Sequence, residues 1–115
     1  MNSFDVNKLE KAIRDVLDFP KPGIIFKDIT PILADPDLLS SSIKALTSFV
    51  DNSSIDKVIG IDARGFIFGS LVANALGKGF IPVRKEGKLP WKTESQSYDL
   101  EYGQSVIEIL SLIHI

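Results

Sequence analysis

The first part of the chain has apolar residues at helical spacing, namely Leu9, Ala12, Ile13, Val16 and Leu17. Asn7 and Glu10 have the spacing of a capping box, so the pattern predicts that an amphipathic helix begins there. Pro20 and Pro22 predict that the helix has ended before them, because proline cannot continue a helix. The segment that follows, through Pro31, is predicted to be a loop.

A second helix is predicted after Asp35, whose side chain can cap it while Pro36 occupies its first position. Its expected buried stripe consists of Leu39, Ile43, Leu46 and Val50. Residues at this spacing lie on one side of a helix, which then packs against the rest of the fold.

A strand, a tight turn and a helix are predicted in the middle of the chain. The strand is Lys57–Ile61, the polar turn is Asp62–Gly65, and the helix is the apolar stretch Phe66–Leu76, ended by Gly77. The next strand is predicted over Phe80–Arg84. A right-handed parallel βαβ unit joins these elements most simply, so the sequence predicts an α/β fold.

Two further patterns concern the later strands. Pro82 has no N–H to give to a sheet, which predicts an edge or irregular position. Tyr98, Leu100 and Tyr102 alternate with other residues, which is typical of a hairpin or flap. Val106–Ile115 is strongly apolar and is predicted to be the final strand.

Composition limits the classes of protein. The 115 residues include 13 Lys+Arg, 15 Asp+Glu and 44% apolar residues, an ordinary globular composition that suits one domain or part of one. The absence of cysteine excludes a disulfide scaffold, a thiolate zinc site and cysteine catalysis. The apolar runs are far shorter than the roughly 20 residues of a membrane span. We therefore expect a cytoplasmic protein that binds no membrane and, given its slightly acidic balance, no nucleic acid.

Basic residues are concentrated after the predicted helix. Residues 78–92 include five basic side chains and one acid, whereas Thr93–Glu108 has four acids and no Lys or Arg. The turn Asp62–Gly65 begins a helix whose N–H groups favour an anion, and Arg64 adds a bidentate donor. These features predict a phosphate or pyrophosphate site at the carboxyl ends of the strands. The alternative is that Arg64 pairs with Asp62 and the basic residues lie on a solvated loop.

Four segments resemble, in order and spacing, the adenine phosphoribosyltransferase family of type I phosphoribosyltransferases. They are Phe19–Thr30, Ala63–Gly69, Val83–Pro90 and Tyr98–Gly103. The resemblance implies the N-terminal portion of that fold: a parallel sheet with flanking helices, a small hood over the base and a flap hairpin. It also implies a homodimer that transfers 5-phosphoribosyl from phosphoribosyl pyrophosphate to adenine, giving AMP and pyrophosphate in purine salvage.

The resemblance assigns residues to each substrate. Ile25, Phe26 and Lys27 fall in the hood segment that contacts adenine, although Phe26 is equally well explained as a core residue. The family commonly has Arg in place of Lys27, and lysine keeps the charge but loses the planar fork. Four residues correspond to the cations that bind pyrophosphate, namely Arg64, Arg84, Lys85 and Lys88.

The resemblance also assigns the chemistry of the reaction. Glu101 and Tyr102 correspond to the flap pair, with Glu101 expected to exchange a proton with the adenine ring and Tyr102 to close over the site. The cations are needed because the departing pyrophosphate gains negative charge. Mg²⁺ is expected to enter with phosphoribosyl pyrophosphate, and no residue of the chain is assigned to hold it.

The resemblance ends after Ile109. The expected acidic pair and Thr/Gly-rich loop do not follow, and residues 110–115 do not match, so a C-terminally truncated enzyme is expected. In that interpretation residues 1–33 form the N-terminal helix and hood, and residues 34–109 form a partial core with the flap, within a single partial domain. Two alternatives stay open, a non-catalytic purine- or nucleotide-binding module and an inert fragment.

Overall fold

The computed structural model describes residues 3–100 and 103–110. The chain forms two compact units, one ending at Val50 and the other beginning at Asp51. The predicted catalytic residues Glu101 and Tyr102 lie outside the described residues. The predicted division of the chain near residue 33 stays a prediction.

The first unit contains three helices and a two-stranded antiparallel sheet. These elements are α1 (Ser3–Ala12), β1 (Arg14–Leu17), β2 (Ile25–Asp28), α2 (Thr30–Ala34) and α3 (Pro36–Ser48). The three helices pack on one another. Ile32 of α2 is buried and forms the centre of this small core.

Two predictions for the first unit are wrong. The first helix begins at Ser3, so Asn7 lies inside it, and the helix ends before Val16 and Leu17. Those two residues form part of β1, where Val16 pairs with Phe26. The segment expected to be a loop contains the strand β2. The β1 side chains that fit a helical period pair instead with residues of β2 across a hairpin.

The predicted start of α3 is confirmed. Oδ1 of Asp35 accepts hydrogen bonds from the N–H groups of Asp37 at 2.9 Å and Leu38 at 3.2 Å. This satisfies two donors that the first turn of a helix leaves unpaired. The predicted stripe is only partly buried, because Leu46 is 43% exposed and the helix ends before Val50.

The second unit is a four-stranded sheet with one long helix. Its elements are a 3₁₀ turn (Asn52–Ser54), β3 (Lys57–Ile61), α4 (Arg64–Leu76), β4 (Gly79–Lys85), β5 (Thr93–Leu100) and β6 (Gly103–Leu110). The strand order is β3-β4-β6-β5. None of the helices in the described part of the chain is long and apolar enough to cross a membrane.

The predicted βαβ unit and hairpin are both present, and they share one sheet. β3 and β4 are parallel and are joined by α4, whereas β6 runs antiparallel to both β4 and β5. The α/β class is confirmed, with a mixed sheet in which the hairpin adds the antiparallel strands. Pro82 lies in an inner strand and not in an edge strand, but the described pairs between β4 and β6 begin only at Val83.

Close packing brings α4 down onto the sheet. A Cβ atom on Gly60 would lie 2.5 Å from the Gly65 carbonyl oxygen and 2.5 Å from the Phe80 ring, and one on Gly69 would lie 2.8 Å from the same ring. Both positions therefore require glycine. Gly77, with φ of 69°, ends the helix in the left-handed conformation, as predicted.

Candidate anion site and the β1–β2 hairpin

Asp62 connects the ends of the two parallel strands. It follows β3 directly, and its N–H donates to the carbonyl oxygen of Val83 in β4 at 2.9 Å. Its side chain is only 10% exposed. The carboxylate is therefore fixed at the carboxyl edge of the sheet, where ligands of α/β proteins bind.

Two of the four predicted pyrophosphate cations meet at this carboxylate. Nε of Arg84 lies 3.3 Å from Oδ2 of Asp62, and Nζ of Lys88 lies 3.7 Å from the same atom. The structure shows Asp62 as the shared partner of cations from the next strand and the loop after it, and the alternative pairing of Arg64 with Asp62 stays a prediction. The sequence offers an acid directly after one strand and basic residues at the end of the next, but it does not show that they meet.

The Arg84 guanidinium is also held by an aromatic ring. Its central carbon lies 5.7 Å from the centroid of the Phe66 ring, a distance at which a cation is attracted to the ring face. Phe66 packs edge-on against Phe80, with ring centroids 6.0 Å apart. Arg84 is thus oriented by Asp62, which directly follows β3, and by Phe66 on α4.

Arg64 lies at the N-terminal end of α4. It is the first residue of that helix and is exposed. The N-cap residue is Ala63, which has no side chain able to cap the helix, and the peptide bond between Asp62 and Ala63 is cis. The first amide groups of α4 and the Arg64 side chain are therefore the kind of donor set that binds an anion.

Lys85 and Lys88 stand at the two ends of a tight turn. The Lys88 N–H donates to the Lys85 carbonyl oxygen at 3.3 Å, and Gly87 has φ of 84°, which favours glycine at that position. Lys85 follows Arg84 in β4, so its side chain projects from the opposite face of the sheet. The structure therefore brings Arg84 and Lys88 together at Asp62, with Lys85 directed away from them.

The predicted adenine residues lie in the β1–β2 hairpin of the first unit. Val16, Phe19, Phe26 and Asp28 line an open cavity there, with the rings of Phe19 and Phe26 5.2 Å apart in an edge-to-face arrangement. Ile25 is 56% exposed. Because successive side chains of a strand alternate, Ile25 belongs to the face opposite Phe26.

Lys27 also belongs to that opposite face and has a partner there. Its Nζ lies 2.6 Å from Oδ1 of Asp15, the residue opposite it on β1. On the Phe26 face, Asp28 accepts hydrogen bonds from the N–H and hydroxyl of Thr30 and pairs with Arg14 at 3.1 Å. The pKa of Asp28 lies below its ordinary value. The hydrogen bond from the Thr30 N–H lowers it most, the bond from the Thr30 hydroxyl comes next, and Arg14 lowers it less.

Within the described residues, no three His, Cys, Asp or Glu side chains are grouped so that they could hold a metal ion. The carboxylate at the anion site, Asp62, is already paired with two cations. These described side chains do not fit a protein-bound metal.

The fold matches solved phosphoribosyltransferases, although no protein-family profile matches the chain. The adenine phosphoribosyltransferase of Rhodothermus marinus has a TM-score of 0.86 and 51% identity over 95% of this chain and 62% of its own. The Saccharomyces cerevisiae enzyme, solved with D-2,5-dideoxy-2,5-imino-altritol 1,6-bisphosphate and adenine, has a TM-score of 0.89 and 37% identity over 95% of this chain and 64% of its own. The described residues thus have the type I phosphoribosyltransferase fold.

The sequence comparison gives the particular relationship. The adenine phosphoribosyltransferase of Acidothermus cellulolyticus is 51% identical over 106 residues, which are 91% of this chain and 60% of that protein. The chain spans about 60% of the length of the curated relatives it matches. It is a homologue of the adenine phosphoribosyltransferases, and the resemblance predicted from four sequence motifs is confirmed.

Proposed function

We propose that this chain transfers 5-phosphoribosyl from phosphoribosyl pyrophosphate to adenine, giving AMP and pyrophosphate. Homology to enzymes of that name, at 51% identity to one of them, supports the proposal. The structural observation that carries it is the convergence of Arg84 and Lys88 on Asp62 at the carboxyl ends of two parallel strands. A site of this kind binds a strongly charged anion at one fixed point.

The proposed reaction explains why cations are placed there. The bond between the anomeric carbon and pyrophosphate breaks, pyrophosphate leaves with the electron pair, and a ring nitrogen of adenine forms the new bond. Arg84, Lys88 and Arg64, with the N-terminus of α4, stabilise the charge that develops on the leaving group. Lys85 adds positive potential from the other face. Glu101 is proposed to accept the proton of the adenine ring, and Tyr102 to cover the site.

The hairpin suggests how each predicted residue would contact adenine. The Phe26 ring, beside Phe19, offers a flat apolar surface on which a purine can stack. The side chains of Ile25 and Lys27 belong to the opposite face, so we propose that these two residues contribute backbone N–H and carbonyl groups. Backbone groups with fixed donor and acceptor positions suit the recognition of one base edge.

Three further parts complete the proposal: Mg²⁺ and the homodimer follow from the homology, and the cytoplasmic location follows from composition. Mg²⁺ is proposed to arrive with phosphoribosyl pyrophosphate, as part of the substrate. A homodimer and a cytoplasmic location stay predictions, which sedimentation and cell fractionation test.

Release of pyrophosphate from phosphoribosyl pyrophosphate and Mg²⁺, with and without adenine, tests the proposed activity. We expect release that depends on adenine and that falls about 100-fold in Arg84→Met, because one preorganised donor is lost. Lys57→Met is the matched control, since Lys57 is an exposed cation at the opposite end of β3 and should keep wild-type release. Binding of adenine or pyrophosphate without turnover would instead favour the non-catalytic binding module, and no binding would favour the inert fragment.

A further inference from the structure

Glu108 lies beside the anion site, on a strand to which no site residue was assigned. It belongs to β6 and is directly opposite Arg84 of β4 in the sheet register. Residues opposite each other on neighbouring strands present their side chains on the same face. Glu108 therefore projects from the face of the sheet that carries Arg84.

The Glu108 carboxylate uses both oxygens, and its two partners come from different places. The Gly87 N–H donates to Oε1 at 2.6 Å, and the Thr93 hydroxyl donates to Oε2 at 2.6 Å. Gly87 stands at the beginning of the connection between β4 and β5, and Thr93 is the first residue of β5. A single carboxylate thus accepts hydrogen bonds at both ends of this connection, residues 86–92.

This connection carries Lys88, the cation that reaches Asp62 from a loop. Its first turn has two other backbone hydrogen bonds, from Lys88 to Lys85 at 3.3 Å and from Glu86 to Val106 at 3.0 Å. Without Glu108, the Gly87 amide and the far end of the connection would lose their shared acceptor. The turn would then hold Lys88 less firmly in front of Asp62.

We propose that Glu108 is a positioning residue of the anion site, which fixes the 86–92 connection so that Lys88 stays beside Asp62 and Arg84. This role rests on the proposed function, because Glu108 affects pyrophosphate binding only if pyrophosphate is the ligand of the site. Hydrogen bonds from the Thr93 hydroxyl and, next, the Gly87 N–H lower the pKa of Glu108, so it is an ionised double acceptor at neutral pH.

The test compares variants that remove one hydrogen bond at a time. Glu108→Gln replaces one acceptor oxygen by an amide group, and Thr93→Val removes the hydroxyl donor, whereas Thr93→Ser keeps it. Glu94→Gln is the matched control, because Glu94 is an exposed glutamate of the same hairpin on the other face of the sheet. Calorimetry measures the affinity of each variant of the 115-residue chain for inorganic pyrophosphate and for adenine, and NMR measures hydrogen exchange of the Gly87 amide.

We expect Glu108→Gln and Thr93→Val to weaken pyrophosphate binding about three- to tenfold, the value of one lost hydrogen bond. Exchange at Gly87 should accelerate in Glu108→Gln, and adenine affinity should stay within about twofold of wild type. Thr93→Ser and Glu94→Gln should behave as wild type. Unchanged pyrophosphate affinity in Glu108→Gln, or an equal loss of adenine affinity, would overturn the proposal.

Failure of the proposed function has a different signature. If the wild-type chain binds no pyrophosphate, the ligand assignment is wrong, and the Gly87 amide alone then decides the role of Glu108. Faster exchange in Glu108→Gln than in Glu94→Gln would support a fixed connection. Equal exchange in the two variants would overturn it.

Discussion

Nε of Arg84 lies 3.3 Å from Oδ2 of Asp62, and this ion pair joins the end of one parallel strand to the end of the next. The same oxygen is 3.7 Å from Nζ of Lys88. One nearly buried carboxylate therefore gathers two cations at the edge of the sheet. In the proposed anion site, Asp62 acts indirectly, because it determines where those two cations stand.

Replacing Asp62 tests this arrangement. Asp62→Asn removes the negative charge while keeping the shape, so Arg84 and Lys88 lose their shared partner. We expect the free energy of unfolding to fall by about 1 kcal/mol, because the two cations are 35% and 48% exposed and solvent weakens both pairs. Urea denaturation measures the change. Asp56→Asn, at an exposed position of the same unit, is the control, and equal stability of both variants would argue against the anchor.

The contact between α4 and the sheet depends on Gly60. A methyl group there would meet the Gly65 carbonyl oxygen and the Phe80 ring at 2.5 Å, and backbone cannot yield easily. We expect Gly60→Ala to lower the free energy of unfolding by about 3 kcal/mol. Gly79→Ala is the control, because its Cβ would meet only the flexible end of Lys57, at 3.6 Å. In thermal denaturation, the double variant Gly60→Ala with Phe80→Leu should recover part of the lost stability. A Gly60→Ala variant as stable as the wild type would contradict the close contact between α4 and the sheet.

Acid should weaken the folded state through particular carboxylates. Hydrogen bonds hold the pKa of Glu108 below its ordinary 4.5 and that of Asp28 below its ordinary 3.8. A lowered folded-state pKa gives stability that is complete above the ordinary value and is lost as pH falls through the folded value. We therefore expect the melting temperature to fall below about pH 4.5, first through Glu108.

Variants separate the contributions of Glu108 and Asp28 to the acid response. Glu108→Gln and Asp28→Asn should each show a smaller difference in melting temperature between about pH 6 and about pH 3 than the wild type does. Glu94→Gln should retain the full difference. If Glu108→Gln retains it as well, the hydrogen bonds to Gly87 and Thr93 do not stabilise the ionised form.

The proposed adenine contacts of the β1–β2 hairpin predict that Phe26 and Lys27 contribute unequally to adenine affinity. Phe26→Ala should weaken adenine affinity about tenfold, because the stacking surface is lost. Lys27→Ala should change it by less than about twofold, since Nζ of Lys27 is held by Asp15 on the other face. Calorimetry with adenine measures both. A Lys27→Ala variant that no longer binds adenine, while Lys27→Arg still does, would show that the side chain itself contacts the base.

Much of the fold follows from local signals. Asp35 and Pro36 start α3, Gly77 ends α4, and the run Lys57–Ile61 forms β3, because each depends on neighbours in the sequence. The β1–β2 hairpin does not follow in this way. Val16 fits a helical period as well as a strand, and only its pairing with Phe26, ten residues later, decides between them.

The candidate site shows the same limit. The sequence predicts Arg84 and Lys88 as cations of an anion site because they lie at and just after the end of a strand, in a basic segment. Their shared contact with Asp62, and the contact of Glu108 with Gly87, depend on which strands are neighbours and in what register. Those distant pairings are set by the whole sheet, so sequence spacing does not reveal them.

Competition among bases tests the central claim most directly. The purified chain is given phosphoribosyl pyrophosphate, Mg²⁺ and equal amounts of adenine, hypoxanthine and guanine, and the nucleotides formed are separated by chromatography. The account predicts that AMP is the main product and that its formation depends on Arg84. Comparable amounts of the other two nucleotides, or no nucleotide at all, would contradict it.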